Sequence, residues 1–315
     1  MSIVKRLVGP GLREFVFRSG IAERRLRASS GRWVLMVHGV CDDEISRDAF
    51  AADLAWLAAH FCVVKLETMI QSLSSGEPPA AGGEVAITFD DGLRNQALQA
   101  YPVLRELGVP ATIFVCPGLI DTGAWLWNHE ARARLRRQGP SQWESWANRT
   151  GGCRSASVDD IVERWKQLPA AQRRALELEL RHQTEDFQPT QREREAFDIM
   201  SWEDVTSLDP ELITFGSHTV SHPILPSLDD AELEFEIRSS REMLEAKLGR
   251  SVSTFCYPNG SSDLRARRTV AQTYSAAVTT HKAMVPAKAD PMAIPRVAIE
   301  SSRALLAWRM MRLAH

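Results

Sequence analysis

Short apolar runs alternate with stretches of helical periodicity along most of the chain. The runs are about five residues long, as expected for buried strands. Between them, Phe50, Leu54 and Leu57 show the spacing that places apolar side chains on one face of a helix. This alternation predicts a mostly parallel α/β fold, with about seven strand–helix units, enough to close or nearly close a barrel. The predicted strands lie at residues 33–37, 85–89, 111–115, 212–216, 253–257, 275–278 and 293–297.

Residues 125–200 do not follow this alternation. They are rich in charged residues, have helical periodicity and contain no convincing strand. We interpret them as a helical insertion on one loop, close to the active face, that interrupts a barrel domain of residues 33–315. The insertion contains five tryptophans, which we expect mainly to form a small core of its own: Trp125, Trp127, Trp143, Trp146 and Trp165.

Residues 1–32 form a basic N-terminal segment that we predict to be helical. They carry eight lysines and arginines but only two glutamates, interleaved with apolar residues such as Leu12 and Phe15. This composition is typical of a helix that lies on an anionic membrane surface. A helix packed on the outside of the domain would show the same pattern, so both interpretations stay open.

The overall composition limits the classes of function. The net charge is −2, so we expect no nucleic-acid partner. The five cysteines are odd in number and include no C-x-x-C pair, which favours reduced thiols. No apolar run is long enough to span a membrane, and no signal peptide is visible. These features predict a cytoplasmic protein that could make peripheral contact with the inner face of the membrane.

The strongest chemical signal follows the predicted strand at 85–89. Asp90 and Asp91 come directly after it, and Gly92 permits a sharp turn. Adjacent residues of a strand point to opposite faces, so we do not expect both carboxylates to have the same task. One could bind a metal while the other acts as a base. A turn-forming Asp-Gly pair at a strand end is the structural alternative.

His218 and His222 form the second signal, after the strand at 212–216. Two imidazoles four residues apart can face one metal ion, and a carboxylate from another strand end would complete the site. Three protein ligands leave one position open for water, which is typical of a catalytic metal. Taken alone, the pair could equally be two surface or capping histidines. Strand ends are where parallel α/β folds place their chemistry, and His38 also lies at one.

Three stretches carry these signals in a fixed order: residues 88–92 (TFDDG), 217–223 (SHTVSHP) and 255–260 (FCYPNG). Together they resemble the polysaccharide deacetylase family, which is also known by NodB homology and as a carbohydrate esterase family. The stretch at 34–40 is similar to the opening strand of many members. The resemblance covers roughly residues 33–120 and 205–300 and leaves the insertion unassigned.

The resemblance implies a distorted (β/α) barrel of seven or eight strands and a divalent metal, most often zinc. It also implies hydrolysis of N-acetyl groups on amino sugars, and some insertion tryptophans could stack on the sugar rings. By position, it implies Asp90 as the general base. The metal ligands that it implies are Asp91, His218 and His222.

Two departures from the family pattern concern the catalytic groups. Many members have an arginine at the position of Cys256, where it is thought to orient the base. Arg296, near the end of a late strand, could take this role, and a surface salt bridge is the alternative. The family's late Leu-x-His motif, which often supplies the general acid, does not follow any of the predicted strands. His281 or His38 could serve instead, although each could also be a purely structural histidine.

The predicted reaction releases acetate from an amino-sugar polysaccharide, oligosaccharide or glycan precursor. The oxyanion would be stabilised by the metal and by backbone donors around Tyr257, Pro258 and Asn259. One alternative is hydrolysis of another non-peptide C–N bond, as in a formamide or a cyclic imide. A second alternative is an inactive, metal-containing module that binds glycans.

Overall fold

The computed structural model describes residues 3–151, 157–299 and 302–314, with side chains from residue 9 onward. Its strands are β1 (Arg32–Val37), β2 (Cys62–Val63), β3 (Glu84–Phe89), β4 (Ala111–Val115), β5 (Ile213–Ser217), β6 (Thr254–Cys256), β7 (Ala276–Val278) and β8 (Val297–Ala298). They form one sheet in the order β7-β6-β5-β4-β3-β1-β8, with β2 beside β3. All of these pairings are parallel, which confirms the predicted α/β fold.

The last strand segment brings the two edges of the curled sheet together. Ile294 forms a parallel bridge with Val278 at the end of β7. Three residues later, β8 pairs with β1 through Val297 and Leu35. The stretch between these contacts therefore crosses from one sheet edge to the other, and it carries Arg296 into the barrel interior. This closure is the distorted barrel that the resemblance implies.

The strand β2 was not predicted. It is only two residues long, and Cys62 and Val63 pair with the first two residues of β3. Further along the same edge of β3, its partner is β4. A two-residue strand has no periodicity to detect, so the sequence offered no signal for it.

The helices cover the outside of the sheet. They are α1 (Ile3–Arg18), α2 (Ile21–Ser29), α3 (Arg47–His60), α4 (Leu66–Ser74), α5 (Tyr101–Leu107), α6 (Pro117–Thr122), α7 (Trp127–Gln138), α8 (Pro140–Arg149), α9 (Val158–Trp165), α10 (Ala170–Gln183), α11 (Gln191–Phe197), α12 (Trp202–Ser207), α13 (Asp230–Glu234), α14 (Ser240–Leu248), α15 (Leu264–Thr273) and α16 (Arg303–Leu313). A π-helical turn precedes α5 and another joins α13 to α14. Among the described residues, no helix is both long enough and apolar enough to cross a bilayer.

The helices α1 and α2 pack on the outside of the barrel, next to α16. Val16, Ala22 and Leu26 are buried in the main hydrophobic core. The ring of Phe17 lies edge-on to Trp56 of α3, with 5.8 Å between the ring centroids. One side of this helical pair is therefore anchored to the barrel.

The insertion has its own hydrophobic core. Trp127, Trp146 and Trp165 are all buried in a cluster separate from the barrel core, and Trp143 packs against it. Trp146 and Trp165 stack edge to face at 5.6 Å. These four residues behave as expected for a small core, whereas Trp125 lies outside this cluster.

The end of the insertion is attached to the loop that follows β3. Leu93 and Ile199 form an antiparallel bridge, and the backbone N–H of Met200 donates to the carbonyl of Gly92 at 3.0 Å. The backbone N–H of Arg94 donates to the carbonyl of Asp198 at 2.7 Å. The insertion is thereby held beside the residues that follow Asp90 and Asp91.

Candidate active site

Buried polar side chains meet where the strands end, at the carboxyl edge of the sheet. Asp90 and Asp91 follow β3, His218 follows β5, and Cys256 ends β6. None of these residues, nor His222, is more than 4% exposed. Charged side chains are rarely buried without a partner, so the contacts of this cluster show what it can do.

Asp91, His218 and His222 form a compact triad. The Nε2 atoms of His218 and His222 each lie 3.4 Å from Oδ1 of Asp91. One oxygen and two ring nitrogens, all within 4.8 Å of one another, are suited to hold a single metal ion. The triad contains the three residues that the resemblance implies as ligands, and their donor atoms fit a divalent metal such as zinc.

The ring of His218 is held in one tautomer by a hydrogen bond from its far side. Its Nδ1 lies 2.7 Å from the backbone carbonyl oxygen of Cys256. A carbonyl only accepts, so Nδ1 carries a proton and Nε2 is turned toward the triad. Metal-binding histidines are commonly oriented in this way.

The backbone of the triad adopts conformations that L-residues rarely take. The φ angles are +74° at Asp91 and +60° at His222. Thr219, between the two histidines, has a φ of +70°, and its Oγ1 accepts a hydrogen bond from the N–H of His222 at 2.9 Å. Such conformations cost free energy and tend to occur where side-chain direction matters for function.

The electrostatics of the triad favour a neutral imidazole beside a carboxylate. Burial, with the nearby His218, lowers the pKa of His222 to about 3, so this ring is unprotonated at neutral pH. Burial alone would raise the pKa of Asp91, but the hydrogen bond from His218 and the charges of the neighbouring histidines lower it overall. Unprotonated His222 and ionised Asp91 are the forms that bind a metal. Burial lowers the pKa of His218, but Cys256 and Asp91 outweigh this and raise it overall, so His218 must lose a proton when a metal binds.

The carboxylate of Asp90 pairs with Arg296. Nη1 of Arg296 donates to Oδ1 of Asp90 at 2.6 Å, and Nη2 donates to Oδ2 at 2.7 Å. Arg296 is 1% exposed, so the pair is buried and is not a surface salt bridge. Burial raises the pKa of Asp90, but the charge and hydrogen bonds of Arg296 outweigh this and lower it.

Three further contacts hold the guanidinium of Arg296 in place. Nε donates to the carbonyl of Thr279 at 2.9 Å, and Nη1 also donates to Oγ1 of Thr88 at 3.1 Å. Nη2 lies 3.2 Å from Sγ of Cys256. Burial raises the pKa of this thiol, and the charge of Arg296 only partly offsets the effect. A small neutral thiol therefore leaves room for an arginine that arrives from another strand.

Of the two candidate acids, His38 has the clearer connection to the carboxylates. It follows β1, which pairs with β3, and its charge is one of several causes that lower the pKa of Asp90 and Asp91. Its side chain is exposed, and Nε2 of Gln96 donates both to its backbone carbonyl and to that of Asp90. His281 is also exposed, and its backbone carbonyl accepts from the N–H of Arg296 at 2.9 Å.

The predicted oxyanion residues lie on the turn after β6. The hydroxyl of Tyr257 donates to the carbonyl of Met292 at 3.2 Å, so the side chain has a structural contact of its own. The backbone N–H of Tyr257 is 3.4 Å from the carbonyl oxygen of Val278, which is a long hydrogen bond. Pro258 is buried and lacks an N–H. Asn259 is exposed, with a φ of +55°, and lines a groove between this turn and the insertion.

Sequence reasoning missed His129, which the insertion brings to the site from the first turn of α7. Asp91 is one of the charges that act on the pKa of His129, and His129 is one of those that act on the pKa of His222. Its ring centroid is 4.6 Å from that of Phe197, and its Nδ1 is buried without a hydrogen-bond partner. Burial lowers the pKa of His129 to about 4. It lies in the unassigned insertion, outside every recognised motif, so only the fold reveals it.

A cavity of about 580 Å³ lies between the insertion and the loop that carries His222. Its walls combine aromatic rings with charged groups of both signs and include Trp125, Arg173, Glu177, Ser221, Pro223 and Phe235. Arg173 is 3% exposed, and its Nη1 has no hydrogen-bond partner. Trp125 is held by a 2.8 Å hydrogen bond from its Nε1 to Asp198. The cavity can therefore offer both ring faces and hydrogen bonds to a ligand beside the triad.

Comparison with known proteins agrees with this arrangement. The polysaccharide deacetylase family model matches residues 78–278, well over half of the chain, and the chain therefore belongs to this family. No curated protein matches the sequence.

Solved structures of low sequence identity share the fold. The Streptococcus pyogenes deacetylase PplD, in complex with acetate, has a TM-score of 0.62 at 16% identity, covering 90% of this chain and 98% of its own. IcaB from Ammonifex degensii has a TM-score of 0.58 at 18% identity, with coverage of 89% and 97%. A de-N-acetylase from Aggregatibacter actinomycetemcomitans has a TM-score of 0.57 at 15% identity, with coverage of 86% and 95%.

Proposed function

We propose that this protein is a metal-dependent hydrolase that removes N-acetyl groups from an amino-sugar glycan or glycan precursor. The metal would be held by Asp91, His218 and His222, and zinc suits their oxygen and nitrogen donors. The observation that carries the proposal is the buried Asp90–Arg296 pair directly beside this triad. A metal site needs only one of two adjacent carboxylates, so the other is available for proton transfer.

The reaction adds water to an amide carbonyl and breaks its C–N bond. A divalent metal at the triad supplies Lewis-acid polarisation of the carbonyl. Asp90 accepts a proton from the attacking water, and each of its oxygens keeps a lone pair for this although Arg296 occupies another. Arg296 holds the carboxylate ionised and correctly turned. His38 is our choice for the acid that protonates the leaving amine.

The developing oxyanion also needs a donor from the protein. The backbone N–H of Tyr257 is the best candidate on the turn after β6, because its present hydrogen bond is long and easily exchanged. Pro258 and Asn259 would shape this turn rather than touch the reacting carbon. Tyr257 thus serves through its backbone, while its side chain anchors the turn.

The cavity beside His222 supports a glycan as the substrate. Sugars present a flat C–H face and a rim of hydroxyl groups. Trp125 and Phe235 offer ring faces to the C–H face of a sugar. Arg173 and Glu177 offer hydrogen bonds to its hydroxyl groups. The charges that line the cavity are of both signs, which suits a neutral polar ligand.

Two other functions remain as alternatives. A hydrolase of a formamide or cyclic imide would use the same groups on a different C–N bond. An inactive glycan-binding module is favoured by Cys256 at the family's arginine position and by the lack of a Leu-x-His motif after any predicted strand. Against the inactive module, Arg296 restores a guanidinium beside Asp90.

The test is acetate release from a panel of N-acetylated sugars, oligosaccharides and polysaccharides, with added zinc and with chelator. Release that requires the metal would support the proposal, and formate release from an N-formyl panel would favour the first alternative. No release from any substrate, with one metal ion bound per chain, would contradict hydrolysis and favour the binding module.

A further inference from the structure

The helices α1 and α2 expose a group of large apolar side chains. Eight large apolar side chains are exposed among the described residues, and three of them lie within ten positions of one another. They are Leu12 at 46%, Phe15 at 64% and Ile21 at 39% exposure. We call these three residues, with Arg24 and Arg27 of α2, the N-terminal surface.

The arginines of the N-terminal surface carry charge that the protein does not neutralise. Arg24 donates to the backbone carbonyl of Ser19, and Arg27 donates to that of Ala59. A carbonyl has no net charge, so both guanidinium groups remain positive centres at the surface. On α1, by contrast, Arg18 is paired with Glu14.

The charge of the chain is divided sharply between this segment and the rest. Residues 1–31, which leave out the buried Arg32 paired with Glu84, contain 7 of the 38 basic side chains and 2 of the 40 acidic ones, so their net charge is +5. The whole chain has a net charge of −2, which leaves −7 on the remaining residues. A positive apolar surface on an otherwise negative protein orients the molecule toward a negative apolar partner.

We propose that the N-terminal surface docks the protein onto an anionic lipid bilayer. Phe15, Leu12 and Ile21 would enter the headgroup boundary, and the arginines would pair with anionic headgroups. Val16, Ala22 and Leu26 of the same helices are buried in the barrel core. The whole barrel would therefore be held at the lipid surface without a membrane-spanning helix. This inference does not depend on the proposed reaction.

The test is sedimentation of the full chain with vesicles of phosphatidylcholine containing phosphatidylglycerol, compared with pure phosphatidylcholine. We expect binding only to the anionic vesicles, and weaker binding at raised salt. Phe15→Ser should weaken it, and Arg24→Glu with Arg27→Glu should weaken it by at least about tenfold.

The matched controls lie elsewhere on the surface. Leu264→Ser removes an apolar side chain that is 83% exposed, and Arg268→Glu with Lys288→Glu makes the same charge change on other exposed positions. These variants should bind like the unmodified chain, apart from any effect of net charge. Thermal unfolding of each variant would show that the fold is kept.

Three outcomes would overturn the proposal. One is the absence of binding to either vesicle, and another is binding that Phe15→Ser and the α2 charge reversal leave unchanged. The third is a dimer in solution that Phe15→Ser converts to a monomer, together with no vesicle binding, because a second copy would then cover this surface.

Discussion

Arg296 and Asp90, separated by 206 positions in sequence, form two parallel hydrogen bonds inside the barrel. The pairing depends on the closing segment of the sheet, which carries Arg296 inward between β7 and β8. Two parallel bonds fix both the position and the rotation of a carboxylate, which one bond cannot do. A general base must be ionised and correctly oriented, and this contact would meet both requirements for Asp90.

Replacing Arg296 tests its role as a positioning residue. We expect Arg296→Gln to lower kcat on the order of 100-fold. Without the guanidinium, burial raises the pKa of Asp90, so the acidic limb of the pH profile of kcat/KM should move to higher pH. Arg296→Lys keeps the positive charge but not the two parallel hydrogen bonds. It should therefore bring the acidic limb of the pH profile back toward that of the unmodified chain, while kcat stays low. An unchanged profile in Arg296→Gln would contradict this role.

Removing a triad residue should abolish metal binding. We expect the unmodified chain to bind zinc and Asp91→Ala and His222→Ala to lose it, measured by atomic emission after dialysis. His182→Ala is the control, because His182 is exposed and its ring pairs with Glu185 in the insertion. Full zinc occupancy in both triad variants would mean that the metal is held elsewhere.

The general acid can be assigned by comparing two histidines. His38→Ala should lower kcat and remove the basic limb of its pH profile, because the leaving amine would lack a proton donor. His281→Ala should have a small effect, since its connection to the site is through the backbone carbonyl. The reverse result would move the acid to His281.

The cavity beside His222 should contribute to the binding of longer glycans. We expect Trp125→Ala to raise the KM for an oligosaccharide several-fold. The KM for a single N-acetylated sugar should stay nearly unchanged. Leu178→Ala, also in the insertion but 64% exposed, is the control. Equal effects on short and long substrates would remove the cavity from the binding path.

His129 should support activity from the insertion. We expect His129→Phe, which keeps an aromatic ring against Phe197, to lower kcat/KM without removing the metal. His129→Asn keeps a polar group near the triad and should be less harmful. Zinc loss in both variants would instead indicate a role in metal binding.

The stability of the insertion should depend on pH through Glu130. Burial raises the pKa of this carboxyl, but the hydrogen bonds and charges of Arg181 and Arg134 outweigh it and lower the pKa. A lowered pKa stabilises the fold above the unfolded value of about 4.3, and this contribution disappears as pH falls through the folded value. Glu130→Gln should therefore cost about 1–2 kcal/mol at neutral pH and less at acid pH. The free energy of unfolding would be measured by chemical denaturation. An equal loss of stability at neutral and at acid pH would contradict this prediction.

Much of the fold could be predicted because its strands are buried on both sides. Every residue of β3 and of β4 is buried, so each appears in the sequence as a mainly apolar run. The helix that begins after Asp229 and ends at Gly249 also carries clear end signals, a capping aspartate and a left-handed glycine.

The remaining parts of the site depend on contacts between distant segments. No local pattern shows that Arg296 would point inward, or that the α7 of an unassigned insertion would bring His129 toward Asp91. The sequence also does not show that Trp125, unlike the other insertion tryptophans, lies outside the core of the insertion. Motif spacing locates groups along one strand or loop, whereas these groups are placed by barrel closure and by the bridge between Leu93 and Ile199.

The most direct test of the central claim is acetate release by Asp90→Asn compared with the unmodified chain, with bound zinc measured in both. The substitution keeps the shape of the side chain and removes its basicity. We predict that Asp90→Asn binds one zinc ion per chain, as the unmodified chain does, and releases acetate on the order of 1,000-fold more slowly. Undiminished release from the zinc-loaded variant would contradict the assignment of Asp90 as the base.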